Sequence, residues 1–129
     1  MPNQANDREV RLAALFSELR DGLSQFQNCP VVEINTQGFG GDTPLKVAVV
    51  RQDLIAVTDL LIAGANPNIQ GEDDCTPLHH AAGSDSEAIV RLLLGYGAST
   101  QIRDRYGNTP IEYASSNQGI LNLLTAKNA

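Results

Sequence analysis

The chain has 129 residues, 42% hydrophobic and 19% charged, with a formal net charge of −6. That length suits one domain with a modest core, and the composition excludes a disordered chain. The acidic balance argues against a nucleic-acid or anionic-membrane binder, because both need clustered Lys and Arg.

In chain order, residues 1–30 read as an amphipathic helix. Leu12, Leu15, Phe16, Leu19, Leu23 and Phe26 fall on one face by the i, i+3, i+4 rule. Arg8, Arg11, Glu18 and Asp21 fill much of the remainder. The mixed charges fit a capping helix, whose outer face meets water, better than a membrane-surface helix. The polar start MPNQANDREVRL lacks the apolar run of a secretion signal. No stretch reaches the ~18–20 apolar residues of a membrane span. Cys29 and Cys75 form no CxxC pattern, which points to free thiols in a reducing compartment. The expected location is cytoplasmic.

From residue 31 the chain repeats itself. Thr43, Thr76 and Thr109 are spaced by 33 residues, and so are Gly64 and Gly97. Asn35, Asn68 and Gln101 keep the same step ahead of each Thr. Local physics gives each unit a shape. Thr is a good N-cap and Pro suits the first helical position, so Thr43-Pro44, Thr76-Pro77 and Thr109-Pro110 each start a short inner helix. Ala48, Ala81 and Ala114 let these helices approach closely. A polar break follows, and then an outer helix at 55–63 and at 88–96. Gly64 and Gly97 stand where a helix ends on a left-handed residue. The stretch up to the next Thr is rich in Gly, Asn and Asp and is expected to be an extended turn or hairpin. In the last unit the second helix, expected at 120–124, follows a loop shortened by about two residues relative to the 33-residue period.

The segments GDTPLKVAV…VTDLLIAGANPN, TPLHHAA…IVRLLLGYGAS and DRYGNTPIEYA closely resemble ankyrin repeats over roughly residues 31–124. The resemblance implies an all-α ankyrin-repeat solenoid of stacked helix-turn-helix pairs with hairpin fingers. It consists of an N-terminal capping helix, two full repeats and a shortened C-terminal cap repeat, and residues 1–129 form a single domain. His79 is then framework, tying the inner helix and the hairpin through the threonine; the same slot holds Lys46 and Glu112 in the flanking units. Ankyrin hairpins usually carry Gly two residues before the Thr. Gly41 and Gly107 match and Asp74 does not, so the Glu72–Cys75 tip must accept a positive φ or a changed turn, which Asp does better than most residues.

Nothing in the sequence marks an enzyme, a cofactor or a metal site. GFGG at 38–41 follows no buried strand, and Glu72–Asp74 lack calcium-loop spacing. His79 and His80 point about 100° apart on a helix. The expected function is therefore recognition of another protein on the concave surface that stacked repeats create. The resemblance places Phe39, Gly40, Asp42, Val50 and Arg51 on that surface in the first unit. Glu72, Asp73, Cys75, Gly83 and Ser84 follow in the second, and Arg105, Tyr106, Asn108, Ser116 and Asn117 in the third. Residues 42–74 carry Asp42, Asp53, Asp59 and Glu72–Asp74 against Lys46 and Arg51, which favours a partner with a basic surface. A monomer that neutralises a basic toxin is the narrower reading. The alternatives are a metal-dependent hydrolase built on His79, His80 and Glu72–Asp74, and a self-assembling structural adaptor.

Overall fold

The computed structural model describes residues 4–23, 26, 32–38, 40–114 and 117–128. In chain order the helices are α1 (Gln4–Gly22), α2 (Pro44–Val50), α3 (Leu54–Ile62), α4 (Pro77–Gly83), α5 (Glu87–Gly95), α6 (Pro110–Tyr113) and α7 (Gln118–Asn128). Among the described residues there is no β-strand. Every Thr-Pro pair does start a helix. Thr43, Thr76 and Thr109 hold extended backbone, with φ of −90°, −91° and −89°, and the proline follows where no N–H is required.

The 33-residue step extends to the backbone. Gln52 and Asp85 both turn the chain between inner and outer helix with positive φ, 56° and 59°. Gly64 and Gly97 close the outer helices at φ of 100° and 92°. Behind them the N–H of Ala65 reaches the Leu60 carbonyl, and that of Ala98 reaches the Leu93 carbonyl, both at 2.9 Å. These bonds satisfy carbonyls that a helix end leaves orphaned. The outer helices begin one residue earlier than the apolar pattern suggests; in α3 the side chain of Asp53 caps the start at the Ala56 N–H. The last helix is longer than the expected 120–124. Asn117 caps it at the Ile120 N–H, 3.0 Å away, and it runs to Asn128.

α2, α4 and α6 stack as an inner layer, and α3, α5 and α7 as an outer layer. The core lies between them. Leu45, Leu60, Leu78, Leu93, Val57 and Val90 are wholly buried, and Ala48, Ala81 and Ala114 sit where the inner helices touch. Fully burying one such leucine stabilises by about 1.5–3 kcal/mol, so the stack rests on contacts between neighbouring units.

α1 lies against α3 and runs antiparallel to it. Arg8 and Arg11 near its start meet Asp59 in the second half of α3, whereas Glu18 near its end meets Arg51, which precedes α3. Leu12 and Leu19 are buried as the apolar stripe predicts, but the helix stops at Gly22 and Phe26 is buried beyond it, with Leu19, Val32 and Val47. The basic side of α1 is not simply solvated. Arg11 holds the buried Asp59 carboxylate with two bonds, of 2.7 and 2.9 Å, and Arg8 stands 3.7 Å away. Among the described residues, no helix is long and apolar enough to cross a membrane.

Candidate partner-binding surface

Each finger is a tight turn that returns the chain to its Thr. The N–H groups of Gly38, Gly71 and Asp104 reach the carbonyls of Asp42, Cys75 and Asn108 at 2.9, 2.9 and 2.8 Å. Side chains at one repeat position then bind the fingers to one another. Gln37 donates to the carbonyls of Gly41 and Gln70, Gln70 donates to those of Asp74 and Arg103, and Arg103 donates to that of Gly107. The Asn marker has the same purpose. Asn35 accepts the N–H of Asn66 at 2.9 Å, and Asn68 accepts that of Ser99 at 2.8 Å. The fingers therefore form a continuous hydrogen-bonded ladder rather than loose loops.

The second tip resolves the missing glycine. Asp73 and Asp74 both take left-handed backbone, φ 56° and 59°, and the Cys75 N–H bonds the Glu72 carbonyl at 3.1 Å. Two successive positive φ values inside such a closure make a type I′ turn, which Asp tolerates. Glu72, Asp73 and Asp74 are all exposed there. Arg105 from the third finger binds this tip twice, through its N–H to the Asp73 carbonyl at 2.8 Å and through its guanidinium at 3.7 Å.

His79 is framework. Its Nδ1 accepts the Thr76 N–H at 3.0 Å, so the ring proton sits on Nε2, 2.9 Å from the Asn108 carbonyl to which it donates. It thus ties α4 both to its own cap and to the following finger. With both ring nitrogens engaged, it has no lone pair for a metal ion. Among the described residues, no group of three or more His, Cys, Asp or Glu could hold one.

Of the residues singled out from the sequence, Phe39 and Ser116 lie outside the described residues. Asp42, Cys75, Asn108 and Asn117 carry internal bonds. Asp42 accepts Lys46 Nζ at 3.2 Å and the Glu72 N–H at 3.0 Å. The Cys75 thiol is buried against Asp104 Oδ2 at 3.9 Å, and that burial pushes its pKa up, away from a reactive thiolate. Arg51, Glu72, Asp73, Arg105 and Tyr106 are exposed, and Ser84 is half-buried. Much of the acid in 42–74 is already matched: Asp42 faces Lys46, Asp59 faces Arg11 and Asp73 faces Arg105.

Sequence reasoning missed a groove of about 230 Å³ on the inner face, lined by Cys75, His79, His80, Gly83, Ser84 and Tyr113. Tyr113 donates its hydroxyl to Asp104 Oδ2, and its ring meets that of His79 edge to face at 5.6 Å. The shared proton holds the Asp104 carboxyl below its usual range and pushes the Tyr113 phenol up to about 12. Burial, then the charge of Lys46, lowers the pKa of His80. Only the TPLHH and PIEY segments hinted at these rings, and nothing in their spacing brought them together.

Comparison with known proteins agrees with this architecture. The pattern described as ankyrin repeats (3 copies) matches residues 45–129. An ankyrin repeat protein of fowlpox virus is 40% identical over 93 residues, covering 67% of this chain and 27% of its own. One from Rickettsia bellii is 39% identical over 101 residues, covering 72% and 29%. The human ankyrin repeat and SOCS box protein 9 is 40% identical over 70 residues, covering 54% and 24%. The chain therefore spans less than a third of the length of these relatives. Ankyrin repeats generally mediate protein–protein interaction and are typically non-catalytic. The Thr-Pro helices, the glycine-closed outer helices, the finger ladder and the match over 45–129 together place this chain in the ankyrin-repeat family.

Proposed function

We propose that this array binds another protein through its finger tips and concave face, with Arg51, Glu72, Asp73, Arg105 and Tyr106 as contact residues and α1 as the cap of a single domain. The observation that carries the reading is the rigid ladder. Exposed Glu72–Asp74 and Tyr106, which is 68% exposed, are held on it before any partner arrives, and such preorganisation lowers the cost of association. An aromatic and an arginine beside an acidic tip are suited to a binding hot spot. Phe39, Asp42, Cys75, Ser84, Asn108 and Asn117 complete the surface or brace it.

The partner's contact face is basic. A narrower form of the proposal is an inhibitor that neutralises a basic toxin, and it rests on the carboxylates of Glu72 and Asp74, which form no ion pair among the described residues. The test is affinity capture at low salt with mass spectrometry, comparing the native chain with one reversed to Lys at residues 72–74. A partner retained by the native chain and lost by the reversed one, with slower association at low ionic strength, supports the proposal. Equal retention by both removes the finger face from it.

A further inference from the structure

We infer that the inner-face groove between α4 and α6 takes a guanidinium side chain of the bound partner, an inference that rests on the protein-binding reading above. Hydrogen-bond complementarity points to this occupant. Apart from the single ring N–H of a neutral His80, the side-chain donors on the groove wall are already committed. The Cys75 thiol and the Tyr113 hydroxyl go to Asp104, Nε2 of His79 to the Asn108 carbonyl, and the Ser84 hydroxyl to the His80 carbonyl at 2.7 Å. The acceptors are not committed in the same way. The Ser84 oxygen keeps its lone pairs, and the His80 ring forms no hydrogen bond among the described residues. A donor-poor, acceptor-bearing slot complements a group that only donates, and guanidinium has five N–H donors and no acceptor.

Shape and charge agree. The Tyr113 ring, fixed by Asp104 and by His79, offers an aromatic face on which a planar cation stacks. Gly83 faces the slot: a Cβ there would make ordinary contact with Tyr113, at 3.7 Å, and a longer side chain would fill the space. The volume of about 230 Å³ is below the roughly 300–1,000 Å³ of small-molecule sites and suits one side chain. The nearby cation, Lys46, is matched by Asp42, and Asp104 stands behind the tyrosine. The charged and titratable groups around His80 are Lys46, Asp42 and His79; burial among them favours the uncharged ring that can accept a hydrogen bond.

The test is an NMR titration of the isotope-labelled full chain with N-acetyl-argininamide and, in parallel, N-acetyl-leucinamide. The expected result is saturable shifts at His80, Gly83, Ser84 and Tyr113, with argininamide binding about tenfold more tightly than leucinamide. His80→Ala, whose ring carries no structural bond, is expected to keep its melting temperature and lose that preference. Gly83→Leu, which fills the slot, is expected to lose both responses. Equal binding of the two amides, or no saturable shift within the groove, overturns the inference. Salt-dependent protein capture by residues 72–74 is a separate measurement, so loss of the anchor and loss of the finger surface are distinguishable.

Discussion

The carboxylate of Asp42 occupies the space that a side chain on Gly71 would fill, one finger along. A Cβ on Gly71 would collide with Asp42 Oδ1 and lie 3.2 Å from both the Asp42 Cα and the Gly41 carbonyl. In return that oxygen accepts the Glu72 N–H. At the next joint the arrangement is reversed. Position 104, 33 residues after Gly71, is an aspartate, and position 75, 33 after Asp42, is the small Cys75. Asp104 uses its own carboxylate to accept the N–H groups of Tyr106 and Asn108. Each finger joint thus holds one carboxylate, lent by the preceding finger in one case and native in the other.

Gly71→Ala is therefore expected to destabilise the chain by about 1–3 kcal/mol, the range for overpacking a closed site. Combining Gly71→Asp with Asp42→Cys copies the following joint and is expected to recover most of the loss that Gly71→Asp causes alone. A double-mutant cycle by urea unfolding reads the coupling. Additive losses would show that the two residues are independent.

The adjacent histidines are expected to behave differently on removal. His79→Ala leaves the buried Thr76 N–H without its partner, at about 1–3 kcal/mol for a buried group left unsatisfied, and takes one of two donors from the Asn108 carbonyl, which keeps the Asp104 N–H. His80→Ala removes a ring with no such bonds and is expected to be close to neutral. Chemical denaturation of both variants checks the order, and equal losses would contradict it.

Seating of α1 depends on Asp59. Arg11→Ala is expected to lower the melting temperature more than Arg8→Ala, since Arg11 makes the paired bonds and Arg8 stands farther off. Asp59→Leu, which removes the buried charge together with its need for a partner, is expected to be better tolerated than Arg11→Ala, which leaves that charge behind. Hydrogen exchange in α1, followed alongside melting, should rise first in the Arg11 variant.

Stability is expected to fall at both ends of the pH range through identifiable groups. His80 has a lowered pKa, so the unfolded chain binds its proton first, and stability declines as pH drops below the ordinary value of 6.5. Asp104 is also lowered; its contribution is present above the usual carboxylate value of 3.8 and is lost as pH falls below it. Tyr113 is raised to about 12, so its contribution is complete below 10 and disappears as pH climbs from there. His80→Gln should flatten the first decline, and Tyr113→Phe the alkaline one, in melts recorded across pH. Unchanged profiles would exclude these groups as the source.

The repeat was legible because its markers act locally. A Thr caps its own helix, a Pro fits the first turn beside it, and a Gly ends the helix three residues after Leu61 or Leu94. Asn35 and Asn68 were legible as periodic but not as bridges, since their partners Asn66 and Ser99 lie 31 residues on. The groove escaped notice for the same reason: Cys75, His80 and Tyr113 meet only when α6 packs on α4. The acidic segment looked more open than it is, because a charge count cannot register that Asp59 faces Arg11 from another helix. The reversed direction of α1 was likewise invisible, as an apolar stripe fixes which face is buried and not which way the helix points.

That reversal gives the array a grain. A module copied from the existing ones and laid on the α1 side would meet an axis pointing the wrong way, with no finger ahead of Gln37 among the described residues to continue the chain of amide bridges. On the α7 side the outer helices still point in one common direction. Lengthening by duplication can keep register only there, so the two ends of the stack are not interchangeable as sites of growth.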